Sequence, residues 1–385
     1  MTREMLLSRR GFLVGCSLAA SPLLTPVTFA AAPGQNRLVV IVLRGALDGL
    51  DLVRPVGDPA YAALRPTLLK DRGGPVLDLG GFYQLHPGAA ALMPLWQAGE
   101  LGFVQAVATP YRNRSHFVGQ DVLENGSASD QGALTPGGGG WLNRALVPLG
   151  GRPDVAVTVG QEPMLILEGD VPVAHWSPID DSSLSPQGEA LLARLYAADP
   201  LLASTYPGAA GLRHDGGAGA DVRPVDLGAY VAERLRGEAR IAAFSYGGWD
   251  THQNQTKVLS KRLGELSETI LALKQGLGPD WATTLVVAIT EFGRTARENG
   301  SAGTDHGTGG AMIFAGGAAK GGRVLGDWPG LGDSALLENR DLMPTRDVRS
   351  LAAWALRSQF GLGASDLEGA VFPGLDLGAD PGLVL

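Results

Sequence analysis

The sequence predicts an α/β fold with a mostly parallel central sheet and helices on both faces. Continuous apolar runs at 37–43, 101–107, 241–246 and 284–290 read as strands buried on both faces, because a strand with one wet face would alternate. Segments with helical spacing lie between them, most plainly where Val258, Leu259, Leu263, Leu266, Ile270, Leu273 and Leu277 recur along one stripe. Strands that alternate with helices build parallel sheets through crossover connections.

Each element follows in order. The first strand comes after Pro33-Gly34 and ends at Arg44-Gly45-Ala46-Leu47-Asp48-Gly49. Residues 87–98 have helical spacing through Leu92, Leu95 and Trp96 and lead into the second strand. Ser115 is a candidate N-cap for a helix from His116 to about residue 125. A glycine-rich stretch at 136–140 precedes an expected strand at 155–159, and 162–185 reads as irregular. Helices are expected at 187–197 and 227–236, with a loop at 206–223. The strand at 241–246 delivers Gly247-Gly248-Trp249-Asp250-Thr251-His252, and that at 284–290 delivers Glu291-Phe292-Gly293-Arg294-Thr295. A short strand at 311–315 follows Asp305-His306-Gly307, and a helix at 347–360 closes the fold. The reading is one domain over 37–385 with loop-rich insertions at about 130–225; 56 Gly and 25 Pro supply the turns.

Residues 1–30 have the three parts of an export signal: basic Arg3, Arg9 and Arg10, an uncharged stretch from Gly11, and small residues at Ala30 to Ala32. Ser8-Arg9-Arg10-Gly11-Phe12-Leu13 is similar to the twin-arginine consensus, so the twin-arginine translocase is an expected partner and the periplasm or exterior the expected location. A stable membrane anchor is not expected, since Ser17, Ser21, Pro22, Thr25 and Pro26 interrupt the apolar run. Cys16 is the one cysteine, so a chain without its signal has no thiolate for a metal. The chain carries −8, and losing Arg3, Arg9, Arg10 and Glu4 leaves about −10, which disfavours a nucleic-acid partner.

Asp48, Ser115, Asp250, His252, Glu291, Asp305 and His306 fall at or just after strand ends, or at a helix start. In such sheets ligands bind beyond the carboxyl ends of the strands. Carboxylates and imidazoles without thiols suit a divalent metal: zinc, manganese or magnesium. Each residue also has a structural role open to it. Asp48 fits a turn, Ser115 an N-cap, and Glu291 an ion pair with Arg294 or Arg297. His86, His175 and His214 read as surface or structural residues.

The motifs Leu43-Arg44-Gly45-Ala46-Leu47-Asp48-Gly49-Leu50, Arg114-Ser115-His116-Phe117, Gly248-Trp249-Asp250-Thr251-His252, Glu291-Phe292-Gly293-Arg294-Thr295 and Asp305-His306-Gly307 resemble a bacterial family named domain of unknown function 1501. That family in turn resembles the alkaline phosphatase and sulfatase superfamily, which sets two metal ions beside a nucleophile. The resemblance implies that Asp48 takes the place of the first metal-binding Asp and Ser115 that of the nucleophile. It likens Asp250 and His252 to one metal site, Glu291 to a carboxylate of the other, and His306 to the last His. Two features depart from the superfamily: Asp250 and His252 are closer in sequence than its Asp and His, and Glu291-Phe292 replaces its Asp-His pair. The implied centre therefore holds one ion or two. The expected activity is hydrolysis or transfer of a small phosphate or sulfate ester, with Arg112 or Arg114 clamping the anion. The alternative is a non-catalytic exported binding or assembly protein. A metal-free serine hydrolase lacks the Gly-x-Ser-x-Gly elbow around Ser115.

Overall fold

In a computed structural model of the chain, residues 34–70, 74–128, 138–160, 163–176 and 223–385 are described. The export signal expected at 1–30, the helix expected at 187–197 and all but residue 223 of the loop expected at 206–223 lie outside them.

The long strands are β1 (Arg37–Leu43), β5 (Leu101–Ala108), β6 (Ala156–Val159), β8 (Ile241–Tyr246), β9 (Thr284–Ile289) and β10 (Gly310–Ala315). Short strands are β2 (Val53–Arg54), β3 (Leu77–Asp78), β4 (Gln84–Leu85), β7 (Ala174–Trp176), β11 (Val324–Leu325) and β12 (Arg346–Asp347). The main sheet runs β11-β5-β10-β9-β1-β8-β6-β7, with β12 also pairing β5, while β2, β4 and β3 form a small separate sheet. Every pairing in the main sheet is parallel except those of β10, which runs antiparallel to β5 and β9.

The expected mostly parallel sheet is therefore present, and period-two alternation explains its layers. Leu38, Val40 and Val42 of β1 enter one core with Leu351, Ala352 and Leu356 of the Val348–Phe360 helix. Val39, Ile41 and Leu43 enter the other core with Leu259, Leu263, Leu266, Ile270 and Leu273 of the Gln255–Leu277 helix. Burying each such Leu contributes about 1.5–3 kcal/mol. Leu227, Val231 and Leu235 of the Pro224–Arg236 helix pack into the same layer.

Several local expectations change. Residues 87–98 split into a 3₁₀ turn, Pro87–Leu92, and a short helix, Met93–Gln97, because Pro94 lacks the N–H that a continuous helix would use. The stretch read as irregular contains β7, the last strand on its side of the sheet among the described residues, carrying an exposed His175. The closing helix begins one residue later than expected: Asp347 caps it, its carboxylate accepting from Arg349 N at 2.9 Å. Among the described residues no helix is long and apolar enough to cross a membrane.

Candidate metal centre

Three parallel strands ending side by side frame the site. β1 pairs with β8 and β9, with Leu43 opposite Tyr246 and Val42 opposite Ile289. The chain leaving β8 reaches Asp250 and His252, and the chain leaving β9 reaches Glu291. His306 comes from the loop before β10, whose antiparallel course starts it at the same edge. The segments after β9 and before β10 are laced together: Thr295 N donates to Asp305 O at 2.9 Å, Gly307 N to Gly293 O at 2.8 Å and Gly293 N to Thr308 O at 2.9 Å. Glycine permits this approach, since a Cβ at Gly293 would stand 2.0 Å from Gly309 O and one at Gly307 2.3 Å from Arg294 C. The last contributor is His116, first residue of the His116–Asn125 helix.

The side chains converge closely. His306 Nε2 lies 2.9 Å from His116 Nε2, 3.0 Å from His252 Nε2 and 3.3 Å from Asp250 Oδ1. His252 Nε2 is 3.1 Å from the same oxygen, and His116 Nε2 is 3.5 Å from Asp250 Oδ2. The donor atoms of His116, Asp250 and His306 all lie within 4.8 Å of one another.

Each ring's other nitrogen is turned to an acceptor. His116 Nδ1 donates to Glu291 Oε1 at 2.8 Å, His252 Nδ1 to Asp305 Oδ1 at 3.0 Å, and His306 Nδ1 to the Arg114 carbonyl at 3.0 Å. A neutral imidazole that donates through Nδ1 presents a bare lone pair at Nε2. Three such lone pairs and a carboxylate therefore face one another. A proton on one ring relieves one contact only, because His306 Nε2 faces both other rings. A divalent cation relieves them all, and the outer acceptors are the partners that orient metal-bound imidazoles.

The titration directions follow from these contacts. Burial alone would raise the Glu291 carboxyl, but hydrogen bonds from His116, Gln120 and Gly45 hold it below the ordinary value. The bond to Glu291 in turn raises His116. Burial, with the charge of His116 next, lowers His306. Burial would also raise Asp250, yet the hydrogen bond and charge of Arg294 outweigh it and lower its carboxyl. Asp305 is lowered likewise, its burial outweighed by bonds from Asn299 and His252.

Asp250, His252 and His306 thus meet as expected, while Glu291 and Asp305 stand one bond farther out, behind His116 and His252. Glu291 pairs with neither Arg294 nor Arg297 but with His116. Asp48 lies apart, 1% exposed: its Oδ2 accepts from Arg65 Nη1 at 2.7 Å and Gln255 Nε2 at 2.7 Å, and its Oδ1 from Asp51 N at 3.1 Å. Its turn role is present, and Arg65 neutralises its charge. Ser115 occupies the N-cap position, but its side chain does not cap the helix. Arg114 pairs with Asp341 and Glu338, at 2.8 and 2.9 Å, and Arg112 Nη1 donates to the carbonyls of Thr109 and Tyr111. Arg114 also holds a left-handed φ of 58°, uncommon for a side chain, with its carbonyl directed at His306. His116 was not among the expected ligands; it stands next to Ser115 at a helix start.

Comparison with known proteins adds the following. No curated protein matches this sequence. The chain is similar to a solved protein in the alkaline phosphatase superfamily from Vibrio parahaemolyticus, at 13% identity over 74% of this chain and 62% of that one, with a TM-score of 0.38. It thus spans less than two thirds of that protein's length. It is also similar to the PsFucS1 sulfatase from Pseudoalteromonas sp., at 12% identity over 92% and 74% of the two chains, TM-score 0.42. A third is the C-terminal periplasmic domain of EcEptC from Escherichia coli, at 9% identity over 90% and 89%, TM-score 0.40. Residues 229–368, which carry Asp250, His252, Glu291, Asp305 and His306, match the family described as Protein of unknown function (DUF1501).

Proposed function

We propose that the protein is an exported metal-dependent hydrolase or transferase that acts on a small phosphate or sulfate ester through Ser115. The observation that carries this reading is the convergence of the His116, His252 and His306 Nε2 atoms with the Asp250 carboxylate. Of zinc, manganese and magnesium, zinc suits three imidazoles best. The ion, when bound, supplies Lewis-acid stabilisation of charge on oxygen.

The chain supplies the rest. Ser115 adjoins His116 at the start of a ten-residue helix, whose first N–H groups and dipole favour an anionic ester. Ser115 Oγ gives up its proton to water as it forms the new bond to phosphorus or sulfur, and the ester oxygen leaves with the electron pair of the bond that breaks and takes a proton from water. Water or an acceptor hydroxyl then attacks the same phosphorus or sulfur, the bond to Ser115 Oγ breaks, and the attacker's proton replaces the one the serine lost. Glu291 and Asp305 fix the ring orientations of His116 and His252, and Arg294 fixes Asp250. With Arg112 and Arg114 engaged elsewhere, anion binding in this reading rests on the helix start. Export already folded, on the Arg9-Arg10 signal, would let the centre fill before it meets competing periplasmic ions.

The test is elemental analysis of the purified, folded protein, with assays on aryl phosphate, phosphodiester and sulfate esters. Ser115→Ala is expected to lower turnover at least about a thousandfold while keeping the metal. Bound metal without turnover of any ester favours the second reading, an exported binding or assembly protein, which the engaged Arg112 and Arg114 support. Hydrolysis that survives exhaustive chelation overturns metal dependence.

A further inference from the structure

The carboxylates around the centre differ in what neutralises them. Asp48 meets Arg65 at 2.7 Å, with side chains 1% and 0% exposed. Asp51 meets Arg54 at 2.8 Å, also buried. Asp250 Oδ1 receives Arg294 Nη1 at 2.6 Å, and the Arg294 side chain is 0% exposed. Glu291 has no arginine, but its Oε1 accepts from Gly45 N, His116 Nδ1 and Gln120 Nε2, and Thr290 Oγ1 stands 3.0 Å from its Oε2.

These pairs form one network. Arg294 Nε donates to Thr304 Oγ1 at 3.2 Å and Nη2 to the Thr304 carbonyl, while Thr304 Oγ1 lies 3.3 Å from Asp48 Oδ2 and 2.7 Å from Gln255 Oε1. Asp48 and Asp250 are thus joined through Thr304 and a buried guanidinium that cannot lose its charge. A second divalent ion beside Asp48 would face Arg65 and Arg294 at close range, with Glu291 already committed to its donors.

We infer that Arg294 is a fixed cation of the centre and, with Arg65, supplies the positive charge a second divalent ion would otherwise bring, so that the cluster takes one ion per chain. The inference rests on the metal reading above. It also assigns Arg294 an electrostatic role: by sharing Asp250 Oδ1 it weakens that carboxylate as a donor to the ion.

Elemental analysis of the zinc-loaded wild type after gel filtration, with chelator competition for affinity, tests it. One zinc per chain is expected. Arg294→Gln, shown to be folded by circular dichroism, is expected to bind zinc roughly tenfold tighter or to take up a second ion, because a like charge beside the ligand oxygen has gone. A residue that only positions Asp250 gives equal or weaker binding in the folded variant, and that result overturns the inference. Two zinc ions in the wild type overturn it while leaving the metal reading intact; no zinc at all defeats the metal reading itself. Should Arg294→Gln not fold, the wild-type ratio alone decides, with one ion supporting the inference and two overturning it.

Discussion

His116 Nε2 and His306 Nε2 face each other at 2.9 Å although each ring already donates through Nδ1, to Glu291 and to the Arg114 carbonyl. Two neutral rings so held would oppose lone pair to lone pair. The pair is stable only with positive charge between or upon it. A proton on His116 and a metal ion shared by both rings are rivals for one position, so the groups that orient the rings also set metal affinity.

Glu291→Gln tests that coupling. The variant keeps a side chain of the same shape but loses the carboxylate that fixes the His116 tautomer. Metal affinity is expected to fall about 10–100-fold, the usual cost of losing an outer partner of a ligand imidazole. Chelator competition measures it, and unchanged affinity would place His116 outside the centre.

Asp48→Asn separates the ligand reading of Asp48 from its structural role. The substitution leaves the Arg65 charge buried, with the guanidinium also donating to the Ala296 and Thr295 carbonyls at 3.0 and 2.7 Å. Breaking one side of such a pair costs about 3–5 kcal/mol. Urea denaturation is expected to show that loss while elemental analysis shows unchanged metal content. Lost metal with near-native stability would make Asp48 a ligand.

The sequence carried the sheet because β1, β9 and β8 as far as Phe244 are buried on both faces and therefore mostly apolar. It also carried Asp250, His252 and Glu291, since residues just past parallel strand ends share an edge whatever the loops do; Asp305 and His306 reach that edge because β10, which follows them, runs antiparallel. It did not carry His116, which meets His306 across 190 positions of sequence. Nothing local distinguishes a ligand there from the first residue of a helix, and Ser115 beside it drew the functional reading. Asp48 shows a related limit: a carboxylate at a strand end can serve a metal or a salt bridge according to what the fold brings, and here it brings Arg65. The direction of β10 was equally hidden, because an apolar run has no polarity.

His86 gives the protein a pH dependence separate from the centre. The ring is fully buried, its Nδ1 accepts from Gly88 N at 2.9 Å, and burial pushes it from 6.5 down to about 4. Below 6.5 the unfolded chain binds a proton that the folded ring refuses, so this contribution is intact above that pH and is lost as pH falls toward 4. The span is on the order of 3 kcal/mol. Urea midpoints at pH 7 and pH 4.5 are expected to differ less in His86→Gln than in the wild type. An identical pH slope in the two proteins would rule out His86 as the source.

Gly307→Ala tests whether the lacing of the two loops positions His306. A Cβ there would stand 2.3 Å from Arg294 C and 2.4 Å from its carbonyl oxygen, distances that backbone atoms can relieve only by moving apart. The movement would lengthen the bond from Gly307 N to Gly293 O, now 2.8 Å, and carry His306 away from His116 and His252. Overpacking of this kind costs about 1–3 kcal/mol, so the melting temperature is expected to drop. Metal affinity is expected to fall with it, because Asp250 and Arg294 lie across the same contact. Lower stability with unchanged metal affinity would mean that His306 is held by its neighbours in the cluster and by the Arg114 carbonyl rather than by the paired backbones.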